Sequence, residues 1–284
     1  MVDTAAVTLM SIAFGMGLGL EVKDFKRLAT APRPVLVGLC GQILLLPLVA
    51  TMLASLVVAP ELAAGLLLMG VCPGGSSSNY FSFLARGNIA LSVSLTALTG
   101  MLSVLYVPLT FNFAANLILG AETEVALPVW RTMKSILLFL VVPVICGMTV
   151  RVWRRQWAVK WMSPVATTGF VLLIVVSPIL VWDYFVELDG VVATVMRWVA
   201  ILFVIMLPLG YALAKFTGLV EADRRSITVE IGVQNVALAL YLSITFFKDI
   251  SYVIVPIAYL ILMWIFVPGF IVVCRAYDRR VAVA

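Results

Sequence analysis

Apolar runs of the length needed to cross a bilayer, about 20 residues, recur from one end of the chain to the other, separated by short clusters of Gly, Pro and charged residues. Read against that punctuation they predict nine elements. The first five run Thr4 to Leu20, Pro34 to Val57, Glu61 to Ala85, Asn88 to Leu119 and Val125 to Val152. Four more run Ser163 to Trp182, Gly190 to Phe216, Arg224 to Phe247 and Ser251 to Tyr277. The fold class expected is an all-α polytopic membrane protein, a single integral domain over residues 1–284.

Composition agrees: 63% of the residues are hydrophobic and 12% charged, a balance that excludes a water-soluble globule. The net charge of +5 does not point to nucleic acid, because the basic residues cluster at the ends of apolar runs. With the amino terminus outside and the carboxyl terminus cytoplasmic, 15 of the 19 Lys and Arg fall on inner connections: Lys23, Lys26, Arg27, Arg33, Arg86, Arg151, Arg154, Arg155, Lys160, Lys215, Arg224, Arg225, Arg275, Arg279 and Arg280. The outer connections carry the acids Glu61, Glu122, Glu124, Asp183, Glu187 and Asp189 with only Arg131, Lys134, Arg197 and Lys248. One element more or fewer would scramble this alternation. The expected location is a cell membrane. The amino terminus has no basic region of the secretory type, so its first apolar run is expected to remain in the protein.

There is no histidine, which removes imidazole metal sites, Ser-His-Asp triads and histidine proton shuttles. Cys40, Cys72, Cys146 and Cys274 form no CxxC pair and read as core packing. Element two contains Ile43-Leu44-Leu45-Leu46-Pro47-Leu48, and element seven Val204-Ile205-Met206-Leu207-Pro208-Leu209. Each precedes an element with polar residues in mid-span. An offset of five spans is odd, so the two copies have opposite orientation, the inverted-repeat organisation of secondary transporters.

The polar interruptions carry the chemistry. Element three places Pro73, Gly74 and Gly75, then Ser76, Ser77, Ser78 and Asn79, in mid-span. Proline removes a backbone donor and paired glycines weaken a helix, so the freed groups need protein, water or ion partners. A half-helix starting there presents amides to an anion. Element eight carries Glu230, the only acid well inside a span, with Gln234 four residues on. An unpaired acid near mid-bilayer costs about 3 kcal/mol, and with no Lys or Arg nearby a bound cation or a proton is expected. Ser92 and Thr96, also four apart, share a helix face after the first interruption, and Gln42 lies near the repeat proline of element two. Carboxylate, amide, hydroxyl and carbonyl oxygens are hard ligands, and a single carboxylate suits a monovalent ion.

These strings, Cys72-Pro73-Gly74-Gly75-Ser76-Ser77-Ser78-Asn79, then Arg86-Gly87-Asn88 through Ser92 to Thr96, and Glu230-Ile-Gly-Val-Gln234-Asn235, resemble the bile acid:sodium symporter family, as do Phe14 to Leu18 and Gln42 to Pro47. The resemblance covers essentially the whole chain. It implies two broken helices crossing near mid-membrane in a core domain, which moves against a panel domain. The panel is expected over residues 1–57 and 125–182, and the core over 61–119 and 190–277. It implies two sodium sites and no organic cofactor. The first would use Ser78, Asn79, Ser92, Thr96 and Glu230, and the second Gln42, Glu230, Gln234 and main-chain carbonyls near Ile231 and Val233. The substrate would be a small organic anion, a bile acid, pantoate or keto acid, held at the crossing by Gly75, Ser76 and Asn235. Against the family's ten-helix plan the chain begins at the second helix, and Trp264 stands where some relatives place a histidine near the cavity. Sodium-coupled symport is the function implied. A proton-coupled carrier titrating Glu230 is the alternative, and an ion channel or an intramembrane hydrolase finds neither a filter sequence nor a base.

Overall fold

In hydrocarbon a backbone amide has no water to bond to, so each apolar run must close its hydrogen bonds within itself as helix. The computed structural model describes residues 2–120, 125–187, 191–247 and 249–283, and among them the chain is helical apart from short connections and a single isolated bridge. In order, the helices are α1 (Val2–Gly19), α2 (Val22–Thr30), α3 (Pro32–Cys40), α4 (Leu46–Ala54), α5 (Pro60–Val71), α6 (Ser77–Leu84) and α7 (Ile89–Leu119). There follow α8 (Val129–Ile136), α9 (Val142–Trp153), α10 (Arg155–Glu187), α11 (Val191–Phe216), α12 (Glu221–Gly232), α13 (Val236–Phe246) and α14 (Ile254–Val283). Glu122, Glu124, Asp189 and Lys248, assigned to outer connections, lie outside the described residues.

Among the described residues, seven helical stretches are long and apolar enough to cross a membrane: Val2–Gly19, Pro32–Ala54, Ile89–Leu119, Val129–Trp153, Arg155–Val175, Val191–Phe216 and Ser251–Arg280. The two remaining elements of the hydropathy reading are the polar-interrupted ones, each split into a pair of short helices, α5 with α6 and α12 with α13. The first connection also holds a helix that hydropathy overlooks. In α2, Val22 and Phe25 alternate with Lys23, Asp24, Lys26 and Arg27, a two-faced pattern of the interfacial kind, and Asp24 accepts from the Glu21 amide at its start (2.7 Å).

Two stretches contain one wide π turn each. Gly41–Leu45 joins α3 to α4, with the Leu46 amide reaching back to Gly41 O, and Leu137–Val141 joins α8 to α9, with the Val142 amide reaching Leu137 O. Each is followed by a proline, Pro47 or Pro143. A proline has no N–H and its ring crowds the preceding turn, and widening that turn makes room for it. Pro208, the repeat partner of Pro47, instead lies within α11. The π turn sets Gln42 fully inside the protein.

Packing sorts the helices into two groups. α1 lies against α9 and α10, while α5, α6, α7, α11, α12 and α14 interlock. The segment 34–57, expected with the panel, packs chiefly on α5, α7, α11 and α12. α1 meets its neighbours through glycines: a Cβ on Gly17 would lie 2.2 Å from Val144 O, and one on Gly147 2.5 Å from Phe14 O. Small residues permit such backbone approach between membrane helices.

The connections assigned to the inner side all meet at one end of the molecule. Arg151 of α9 donates to Leu18 O and to Glu21, Arg27 of α2 to Asn88, and Asn88 to Asp223 at the start of α12 (2.7 Å). Arg33 reaches Thr217 O. Arg225, almost wholly buried, pairs with Asp278 of α14 at 2.6 Å and with Glu221 at 3.0 Å.

Two outcomes follow from these contacts. Gly147→Val must push backbone from backbone, an overpacking cost of about 1–3 kcal/mol, and should lower the unfolding temperature of the detergent-solubilised protein. Glu21 is held down to about 2 from an ordinary value of 4.5 by Lys23 and then by Arg151. Its pairs therefore contribute at neutral pH and are lost as pH falls below the ordinary carboxyl range toward 2. An acid titration of stability should show a smaller loss over that window for Glu21→Gln.

Candidate functional site

Cys72 ends α5 in an extended conformation, and Pro73, Gly74 and Gly75 continue extended before α6 begins. Val233 does the same after α12, and Asn235 starts α13. These two interruptions pair with each other. The Gly75 amide donates to Val233 O at 2.7 Å and the Asn235 amide to Pro73 O at 2.8 Å, an antiparallel bridge centred on Gly74 and Gln234. Backbone groups freed by the breaks are thus satisfied by the opposite break. The glycines are obligatory here: a Cβ on Gly74 would lie 2.0 Å from Glu230 Oε1, and one on Gly75 2.7 Å from Gln234 O.

Glu230, on the last turn of α12, is completely buried. Thr96 Oγ1 donates to its Oε1 at 2.7 Å and Ser92 Oγ to its Oε2 at 3.2 Å. Ser78 Oγ lies 3.0 Å from Thr96 Oγ1 and 3.4 Å from Ser92 Oγ. No ion pair involves Glu230 among the described residues. Three hydroxyl hydrogens are shared among five oxygens, so lone pairs converge. Asn79, next to Ser78, has its Oδ1 buried with no hydrogen-bond partner. Among the described residues no three His, Cys, Asp or Glu side chains gather, so one carboxylate and neutral oxygens make up the cluster.

A second group adjoins it. Gln42 Nε2 donates to Cys72 O at 3.0 Å and to Gln234 Oε1 at 2.5 Å, and Gln234 Nε2 donates to Ile231 O at 2.6 Å. Val233 O already accepts from Gly75. Of the second set, Gln42, Gln234 and Ile231 O are therefore joined, with the two amides bonded to each other across the break. Sequence reading missed two supports. Thr99, one further turn along the Ser92 and Thr96 face, accepts from the Gly74 amide at 3.4 Å, and Tyr259 of α14 donates to Gly232 O at 3.2 Å. The spacing Ser92, Thr96, Thr99, Ser103 is a helical stripe of buried hydroxyls that could have revealed Thr99. Tyr259 left no such signal.

Gly75, Ser76 and Asn235 line a small cavity of about 30 Å³, lined also by Ile12 of α1 and Phe170 of α10. Asn235 Oδ1 caps α13 by accepting from the Leu238 amide (3.1 Å), which leaves its Nδ2 donor free of that duty. Trp264 does not line the cavity. It packs edge-on to Phe81 (4.9 Å between centroids) and against Phe170 (5.6 Å), joining α14 to α10 beside it.

The sodium bile acid symporter family matches residues 6–188. The chain is 31% identical over 248 residues to the uncharacterized sodium-dependent transporter YocS of Bacillus subtilis, covering 84% of this chain and 73% of that one. It is 32% identical over 243 residues to the human P3 protein, covering 80% of this chain but 47% of that protein, so the chain spans about half of that relative's length. It is also 27% identical over 278 residues to the ileal sodium/bile acid cotransporter of Oryctolagus cuniculus, covering 96% of this chain and 79% of that one. With more than half of its length matched by the family and a relative of this likeness spanning most of both proteins, the chain belongs to the sodium bile acid symporter family.

Proposed function

We propose that this membrane protein is a secondary transporter that couples sodium to the movement of a small organic anion by alternating access. Members of its family are transporters and not enzymes. The observation that carries the reading is Glu230, a fully buried carboxylate bonded to hydroxyls and facing no basic group among the described residues. A charge so placed is costly unless a cation joins it. The first sodium is assigned to Ser78, Asn79, Ser92, Thr96 and Glu230, where the orphaned Asn79 oxygen adds a ready ligand. The second is assigned to Gln42, Gln234, Glu230 and the carbonyls of Ile231 and Val233. There, each glutamine must turn an amide oxygen toward the ion, undoing the bonds they now make to each other and to Ile231 O.

The anion is assigned to Gly75, Ser76 and Asn235, on the other face of the same crossing. Ion and anion then share a backbone segment, so each alters the other's affinity, and that coupling is reciprocal. A cavity of 30 Å³ admits a water but not an organic anion, for which pockets are roughly 300 Å³ or more. Movement of α1 and α10 away from the crossing supplies the space. The ileal relative's name gives bile acid as its substrate, which supports a carboxylate for this chain. We assign the basic end, where the inner connections meet, to the cytoplasm, with the amino terminus outside and the carboxyl terminus inside.

Thermal unfolding in sodium, potassium and choline chlorides at equal ionic strength tests the ion site without a choice of substrate. Sodium at 100 times its dissociation constant should add about 2.7 kcal/mol, and Glu230→Gln should abolish the difference. Indistinguishable cations, together with uptake driven by a pH gradient alone, would establish proton coupling instead. A second substitution separates ion from substrate. Asn235→Asp keeps the cap on α13 but replaces a donor with a negative charge at the cavity. Proteoliposomes should lose sodium-driven uptake of bile acids, pantoate and keto acids alike, while the sodium response in unfolding remains.

A further inference from the structure

A cavity of about 710 Å³ opens between the end of α1, α2, α7 and α9. It is separate from the crossing. Met101, which lines it, follows Thr99 by two residues on α7, and at about 100° per residue the two side chains point to opposite sides of the helix. Thr99 is wholly buried toward Gly74, whereas Met101 is 44% exposed.

The cavity has two chemically different ends. One wall is apolar and open, formed by Met101, Ile145, Met148 and Val152. The other end carries Lys23, Arg151 and Arg155, whose nitrogens lie 2.7, 2.7 and 3.7 Å from the Glu21 carboxylate. Three cations meet at this carboxylate, and with Asp24 beside the Glu21 amide the positive charges still outnumber the acids. Lys23 and Arg155 are exposed, and the Nε of Arg151 is buried without a hydrogen-bond partner. Trp153, Trp157 and Trp161 follow in sequence and are exposed, rings of the type that favours the headgroup level of a bilayer.

We propose that this cavity binds one anionic phospholipid from the adjoining leaflet. Its phosphate lies between the exposed Lys23 and Arg155, and an acyl chain lies along Met101, Ile145 and Val152. Cations at a helix end beside an apolar groove are the arrangement that selects anionic over zwitterionic headgroups. The walls come from both packing groups, α9 from one and α7 from the other. A bound lipid therefore touches both bodies of the transporter.

The test uses the whole chain in detergent, with dioleoyl phosphatidylglycerol, dioleoyl phosphatidylcholine and glycerol phosphate added separately. Native mass spectrometry should retain one phosphatidylglycerol per chain, and unfolding should shift upward with that lipid alone. Lys23→Gln combined with Arg155→Gln should weaken retention by about tenfold or more, as two cations near a membrane surface supply. Ile145→Trp, at an open position, should block the acyl wall and have the same effect with every cation in place. Equal retention of the two phospholipids would overturn the proposal. So would stabilisation by glycerol phosphate matching that by phosphatidylglycerol, which would mark a small-anion site, or full retention by both variants.

Discussion

The pairing of two broken helices across each other is the constraint on which the rest depends. Inside a bilayer a peptide group without a partner costs several kcal/mol, and each break strands several at once. The Gly75 and Asn235 amides resolve this by bonding Val233 and Pro73 on the opposite strand. Neither half of the crossing is tenable alone. The two segments, about 160 positions apart in sequence, must arrive together, and the glycines that permit the contact leave no room for a Cβ.

Burial of Glu230 follows from that crossing. The bridge brings Gly74 against its carboxylate and sets α6 and α7 on either side, so Ser78, Ser92 and Thr96 converge on one acid. At the basic end the same two helix pairs are joined again, through Asn88 to Asp223 and through Ser226 to Asn88 O. Arg225 fastens this end to the last helix through Asp278. The polar network there pairs Arg225 with Asp278 and Glu221, while the cluster around Glu230 holds a carboxylate with no ion pair among the described residues.

Much of this was legible in the residues because membrane physics leaves a coarse trace. Apolar length, the side on which Lys and Arg accumulate, and the oddity of Pro73 to Asn79 and of Glu230 in apolar surroundings each have one dominant cause. The Ser92 and Thr96 spacing placed their hydroxyls together for the same reason. What was not legible depends on tertiary fit. The grouping of 34–57 follows from how α3 and α4 meet α5 and α7, which their apolar pattern does not encode. The role of Tyr259 needs α14 to pass beside Gly232. Helix α2 escaped a hydropathy reading because its two-faced pattern averages to neither polar nor apolar.

The π turn at Gly41–Leu45 has a consequence for ancestry. A π turn holds one residue more than the α-helical turn it replaces, so α3 and α4 are phased independently although they form a single rod. Removing one residue from that turn would restore regular helix and rotate Gln42 by about 100°, out of the protein interior and away from Gln234. The length of this stretch is therefore as specific as its composition. Two relatives can differ freely in the apolar residues of the rod, but a one-residue gap there marks a chain whose second amide no longer reaches the crossing.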